Sequence, residues 1–142
     1  MSDAMQISRS ALDVEWQRLQ VIAENLANLN TSKTVSGEPF RARRLISGPN
    51  VNFADALNRT KPADPATVRV LGIETMPGGV RRVYDPTDPQ ADAQGFVNMP
   101  QIDQAAEMTL MIRTSRTYEA NLTALGIARQ MFMKALDLGR SA

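Results

Sequence analysis

Three aspartates, Asp85, Asp88 and Asp92, crowd the segment Tyr84-Asp85-Pro86-Thr87-Asp88-Pro89-Gln90-Ala91-Asp92-Ala93-Gln94-Gly95. Carboxylates so close together suit a calcium loop or an acid and base pair. The calcium pattern fails, because the spacing is wrong and no bidentate Glu closes the loop. Two prolines favour the plainer reading, a stiff turn whose Asp side chains cap nearby amides. The only basic cluster is Phe40-Arg41-Ala42-Arg43-Arg44. In a strand it would place Arg41 and Arg43 on one face, fit for phosphates, a carboxylate partner or a subunit salt bridge. The methionines Met108, Met111, Met131 and Met133 offer adaptable apolar contact, as core or as a partner surface.

The inventory closes most other chemistry. The chain has no Cys and no His, which excludes a Ser-His-Asp triad, a thiol nucleophile, a disulfide framework and a conventional zinc site. No glycine-rich phosphate loop is present, and nothing in the sequence makes a credible active site or calls for a cofactor. The reading is non-enzymatic. Sixteen basic and fifteen acidic residues leave a net charge of +1, which argues against nucleic-acid binding. No stretch approaches the roughly 18 apolar residues of a membrane span, and the acidic start Met1-Ser2-Asp3 does not resemble a secretory signal.

What must position any site is set by proline and glycine. All 8 prolines lie between Pro39 and Pro100, and the flanks hold only Gly126 and Gly139. An interior proline costs a helix about 3 kcal/mol, so the pattern predicts helix, non-helix, helix. Divisions follow at residues 1–31, 32–102 and 103–142: an N-terminal helix, a small β-rich module and a C-terminal helix. Met5, Leu12, Leu19 and Leu26 recur every seventh residue, with Trp16, Ile22, Ala23 and Leu29 beside them, and predict an amphipathic helix of roughly 25 residues. Ser2 or Ser8 would cap its start, and the Asn-rich run Asn28-Leu29-Asn30 would stop it.

The second helix is predicted to start at an Asp103 cap and to run longer. Met108, Met111, Ser115, Tyr118, Leu122, Leu125, Arg129, Phe132 and Leu136 follow the alternating spacing of a coiled-coil seam. The two helices are expected to return alongside each other as an antiparallel hairpin. Val14, Val21, Leu110, Ile127 and Met131 fall off those seams, and this surplus points to burial against other chains. Gly126 inside the helix suggests close approach of a neighbouring backbone. In the middle, strands are expected at Arg41 to Ile46, Thr67 to Thr75 and Val80 to Tyr84, the last two joined in a hairpin through Pro77-Gly78-Gly79. Ala54 to Thr60 reads as a short helix or loop, and Lys61 to Pro65 as a loop.

The run Val21-Ile22-Ala23-Glu24-Asn25-Leu26-Ala27-Asn28-Leu29-Asn30-Thr31 resembles the N-terminal signature of bacterial flagellar rod and hook proteins. Tyr84-Asp85-Pro86 through Met99-Pro100, then Ser115-Arg116-Thr117-Tyr118-Glu119-Ala120-Asn121, resemble the flagellar basal-body rod protein family, and within it the small C subunit of the proximal rod. Asp88 and Gln101 depart from that pattern, where the family often has His and Asn. The resemblance implies a subunit exported unfolded through the flagellar type III apparatus, without signal cleavage. Such subunits polymerise with themselves and other rod subunits into a tube crossing the periplasm. On this reading Leu12, Trp16, Leu19, Leu26, Met108, Met111, Leu122, Leu125, Phe132 and Leu136 pack between subunits. Asn25, Asn28, Tyr118 and Asn121 set the register between helices by hydrogen bonds. A soluble partner-binding coiled-coil module, such as an export adaptor, is the alternative.

Overall fold

A computed structural model describes residues 3–50 and 67–140. The expected cap at Ser2 and the readings of Ala54 to Thr60 and Lys61 to Pro65 lie outside the described residues. Helix α1 spans Asp3–Ala27 and helix α2 spans Gln104–Arg140. Between them lie β1 (Arg43–Pro49), β2 (Val68–Thr75), β3 (Val80–Tyr84) and β4 (Phe96–Pro100). The molecule is mainly helical with a small β insert. At 1.5 Å per residue, α1 is about 38 Å long and α2 about 55 Å.

Local chemistry sets the helix ends. Asp3 in the first turn of α1 complements the positive end of the helix dipole, while Ser8 lies inside the helix and caps nothing at its start. At the other end the Asn28 side chain donates to the Glu24 carbonyl at 2.8 Å and accepts from the Thr31 hydroxyl at 3.0 Å. Asp103 caps α2, its Oδ1 accepting the Ala106 amide at 3.1 Å.

The strands form two separate antiparallel pairs, β1 with β2 and β3 with β4. This corrects the expected hairpin through Pro77-Gly78-Gly79, which instead links the two sheets. Strand β4 is absent from the sequence expectation, since Phe96–Pro100 is short, ends in proline and follows a turn-rich run. The β1 strand begins at Arg43, so Arg41 lies before it and pairs with Glu38 at 3.7 Å rather than sharing a strand face with Arg43.

The core explains why two of the supposed surplus residues are not surplus. Val14 and Val21 on α1 pack with Leu45 of β1, with Val68 and Val70 of β2 against them. Helix α1 therefore has two partners, the β1–β2 sheet on one side and α2 on another. Polar bonds tie the same face down: Arg18 donates to the Ser47 hydroxyl at 2.9 Å, and the Val68 amide to the Ser10 hydroxyl at 3.2 Å.

The β3–β4 pair closes through the aspartate-rich segment, which is the stiff turn its composition suggests. Asp85 accepts from the Thr87 hydroxyl at 2.6 Å and the Thr87 amide at 3.1 Å. Asp88 accepts from the Gln90 amide, and Asp92 from the amides of Gln94 and Phe96 and from Arg82. Arg82 also lies over the Phe96 ring, 4.6 Å from its centroid, and Tyr84 meets Phe96 edge-on. Gly95 adopts a φ of +81°, and a Cβ there would stand 2.9 Å from the Tyr84 ring.

This turn can be tested in two ways. Gly95→Ala forces a left-handed backbone and a ring clash, costing at least about 1–2 kcal/mol. Amide exchange in β3 and β4 should accelerate while α1 and α2 stay protected. The Asp85 carboxyl is held below the usual range chiefly by the Thr87 hydroxyl, and that of Asp92 chiefly by the Phe96 amide. The turn is then fully stabilised above the ordinary Asp value, about 3.9, and loses that stability as pH falls through the lower folded values. The amide shifts of Thr87 and Phe96 should titrate with midpoints below that of free Asp.

Candidate assembly interface

The two helices meet antiparallel, with Asn25 near the end of α1 bonded to Glu107 near the start of α2. Further along, the rings of Trp16 and Tyr118 lie 6.3 Å apart, tilted. The Asn25 side chain is 0% exposed. Its Oδ1 accepts the Arg43 amide at 2.8 Å, and its Nδ2 donates to the Arg43 carbonyl at 2.9 Å and to Glu107 Oε2 at 3.1 Å. The carboxamide thus pairs with the β1 edge as a neighbouring strand's peptide would, exchanging both bonds with one residue.

Glu107 is 2% exposed and is held from its other oxygen by Arg44. Arg43 reaches back along α1 to Glu24 at 3.1 Å and lies 5.8 Å from the Phe40 ring centroid. A buried carboxylate is costly unless paired and hydrogen-bonded, and here it is both. The apparent surface cluster of arginines is therefore structural, binding β1 to both helices.

The seam of α2 departs in part from the sequence expectation. The buried residues are Glu107 and Thr114, continued by half-buried Leu110, Met111, Ser115, Tyr118, Asn121, Leu125 and Ala128, so Met111, Ser115, Tyr118 and Leu125 of the expected seam keep their places. The expectation followed large apolar residues, whereas this face toward α1 begins on a carboxylate and a threonine. Met108 and Leu122 are exposed, as are Ile112 and Ile127, and so are Met131, Phe132, Met133, Leu136 and Leu138 further along the helix. Every residue from 129 to 140 is exposed. The end of α2 thus runs past the start of α1 by about ten residues, or about 15 Å. Among the described residues, a Cβ placed on Gly126 would meet no atom within 4 Å beyond the helix's own nearby backbone, so no approach among them accounts for this glycine.

On α1, Trp16 is 55% exposed, while Leu19, Leu26 and Asn28 are half-buried. Leu12 and Asn25 are withdrawn from the expected intersubunit set. Leu12 is covered within the chain, and each bond of Asn25 given above is made to the chain's own Arg43 or Glu107. Asn25 does bond helix to helix through Glu107, but within one molecule. Glu107 is the junction residue whose packing the sequence does not reveal: it suits the helix dipole and, with Met108, resembles the flagellar family pattern, but neither signal points to Asn25 or Arg44.

Both partners in this contact fall in segments that match flagellar family models. Residues 5–32 match the flagella basal body rod protein family, and residues 93–138 match the C-terminal family of the flagellar basal body rod FlgEFG proteins. The flagellar basal-body rod protein FlgC of Bacillus subtilis is 36% identical, over 96% of this chain and 97% of its own length. The chain belongs to the FlgC family of flagellar basal-body rod proteins. FlgC of Escherichia coli is 37% identical over 94% of both chains, and that of Borreliella burgdorferi 33% identical over 95% of both. In this FlgC-family chain the Asn-Leu-Ala-Asn signature has two distinct tasks: Asn25 fastens α1 to β1 and α2, and Asn28 ends the helix.

The two asparagines should differ sharply on substitution. Asn25→Ala leaves the part-buried Arg43 amide without its acceptor and buried Glu107 without one of its two donors, each costing about 1–3 kcal/mol, while the Arg43 carbonyl keeps the Arg44 guanidinium. Asn28→Ala removes only a half-exposed cap, worth about 1 kcal/mol. Urea unfolding of the isolated chain should rank Asn25→Ala as clearly the more damaging.

Proposed function

We propose that this FlgC-family chain polymerises through its terminal helices, with itself and other rod subunits, into the tubular proximal rod that transmits motor torque. It does so as a structural part and not an enzyme. The observation that carries this reading is the outward apolar face of α2, continued by the unaccompanied end of that helix. A soluble monomer rarely exposes so many large apolar side chains along one element. Each Leu, Phe or Met that becomes buried in an assembly contributes about 1.5–3 kcal/mol. The interface is built on Trp16, Met108, Leu122, Phe132 and Leu136, with half-buried Leu19, Leu26, Met111, Tyr118, Asn121 and Leu125 at its margins.

Placement in the rod goes with passage through the flagellar type III export apparatus, without a cleaved signal, into the periplasmic space. A small chain without cysteine suits unfolded export, since no thiol can cross-link on arrival in an oxidising compartment. Among the described residues no helix is long and apolar enough to cross a membrane.

Leu122→Asp and Phe132→Asp test the interface separately from the fold. Both sites are exposed, so the isolated variants should unfold within about 0.5 kcal/mol of the parent. In a strain lacking its own subunit, both should abolish motility. An immunoblot of salt- and detergent-washed basal bodies should retain the parent chain and lose the variants. Normal motility with Leu122→Asp, or recovery of the parent chain only in a soluble complex of fixed stoichiometry, would overturn the assignment.

A further inference from the structure

The contact between α1 and α2 is unevenly made. At the start of α2, Glu107 and Thr114 are buried, and Glu107 is held by Asn25 of α1 and Arg44 of β1. Beyond Thr114, no described residue of α2 is buried, and beyond Ala128 none is even half-buried. Among the described residues, no ion pair joins α1 directly to α2. Of the large apolar side chains of α2, Leu110, Met111, Tyr118 and Leu125 are only half-buried, and Met108, Ile112, Leu122 and Ile127 are exposed.

We propose that Glu107 is a latch: α2 docks on α1 only once β1 has formed and presents Arg44, so sheet formation gates the helical hairpin. The bond partners lie far apart in sequence, at positions 25, 44 and 107, and Glu107 is the group shared by all three elements. Asn25 supports β1 and the latch together, because its amide group serves Arg43 and Glu107 at once. Arg44 serves the latch through its terminal nitrogen, while its backbone stays in the β1–β2 pairing. Without Glu107, then, β1 and β2 remain paired and α2 swings free. Without Asn25, both loosen. This inference concerns the single chain and does not rest on its place in a rod.

A chain without cysteine allows a clean test, because two introduced cysteines are the only sites for spin labels. Gln17 and Gln130 are exposed on α1 and α2, and Gln17→Cys with Gln130→Cys reports their separation in dilute monomer. The parent should give one narrow distance distribution. Glu107→Ala should broaden it severely, while the amides of Ile46 and Glu74, which face the partner strand in the β1–β2 pair, keep at least half of their exchange protection. Glu107→Gln keeps a polar partner for Asn25 and Arg44 and should recover much of the narrow component. Asn25→Ala should broaden the distances and also lose sheet protection. A narrow distribution in Glu107→Ala would overturn the latch. So would equal loss of sheet protection in Glu107→Ala and Asn25→Ala, which would make Glu107 a general core residue with no selective hold on α2.

Discussion

The structure depends on one carboxamide. Asn25 sits where a strand edge, a helix end and a helix start converge, and it satisfies all three with one planar group. A strand edge needs an acceptor and a donor a peptide's width apart, and Asn offers both. Its remaining proton meets the Glu107 carboxylate. Asp cannot replace it, lacking the donor and repelling Glu107. Gln would carry the same group one methylene too far, and alanine would leave the Arg43 amide unmet and Glu107 with Arg44 alone. Everything else in the junction is arranged around that choice: Arg44 neutralises the buried carboxylate, and Glu24 and Phe40 hold Arg43 to one side.

From that anchor the molecule divides its apolar surface between inside and outside. Helix α1 is committed inward, with Val14 and Val21 closing a core on Leu45, Val68 and Val70. Helix α2 is committed mostly outward. Its face toward α1 begins on Glu107 and Thr114, and its largest side chains are exposed along most of its length. Its half-buried Met111, Tyr118 and Leu125 share the face toward α1 with those polar groups, and Met108, Leu122, Phe132 and Leu136 are left to solvent. Membership of the FlgC family says which kind of assembly this chain joins.

Much of this is legible in the sequence, and the failures are instructive. Proline and glycine segregation locates both helices, since nothing tertiary overrides the absence of breakers over so many residues. The aspartate-rich turn is readable because Asp-Pro chemistry acts within a few residues. The seam of α2 is readable only in part, because periodicity identifies an apolar stripe without saying which neighbour it faces. Val14 and Val21 mislead for the same reason: a helix packed on two sides has two stripes, and the pattern credits only one to the chain itself. The pairing of β3 with Phe96–Pro100 is hidden because a glycine-rich link and a proline-rich turn look equally able to close a hairpin. Asn25 stands out through its motif, but its partner Glu107 lies 82 residues away, beyond the reach of any local pattern.

Among the described residues, the β3–β4 hairpin makes no close backbone approach to either helix, and it has its own internal bracing in Arg82, Asp92, Phe96 and Tyr84. It is attached to the rest through short links at both ends. It also faces the loop of Ser32, Lys33, Gly37 and Pro39 across a cleft shared with Gln90, Asp92 and Phe96, and it stands apart from the Val14–Val21–Leu45 core and the Asn25 junction. A subunit made this way has a stiff spine and an adjustable skin. A change confined to the hairpin, such as a longer turn between Asp85 and Gly95, would leave the contacts among α1, β1 and α2 as they are.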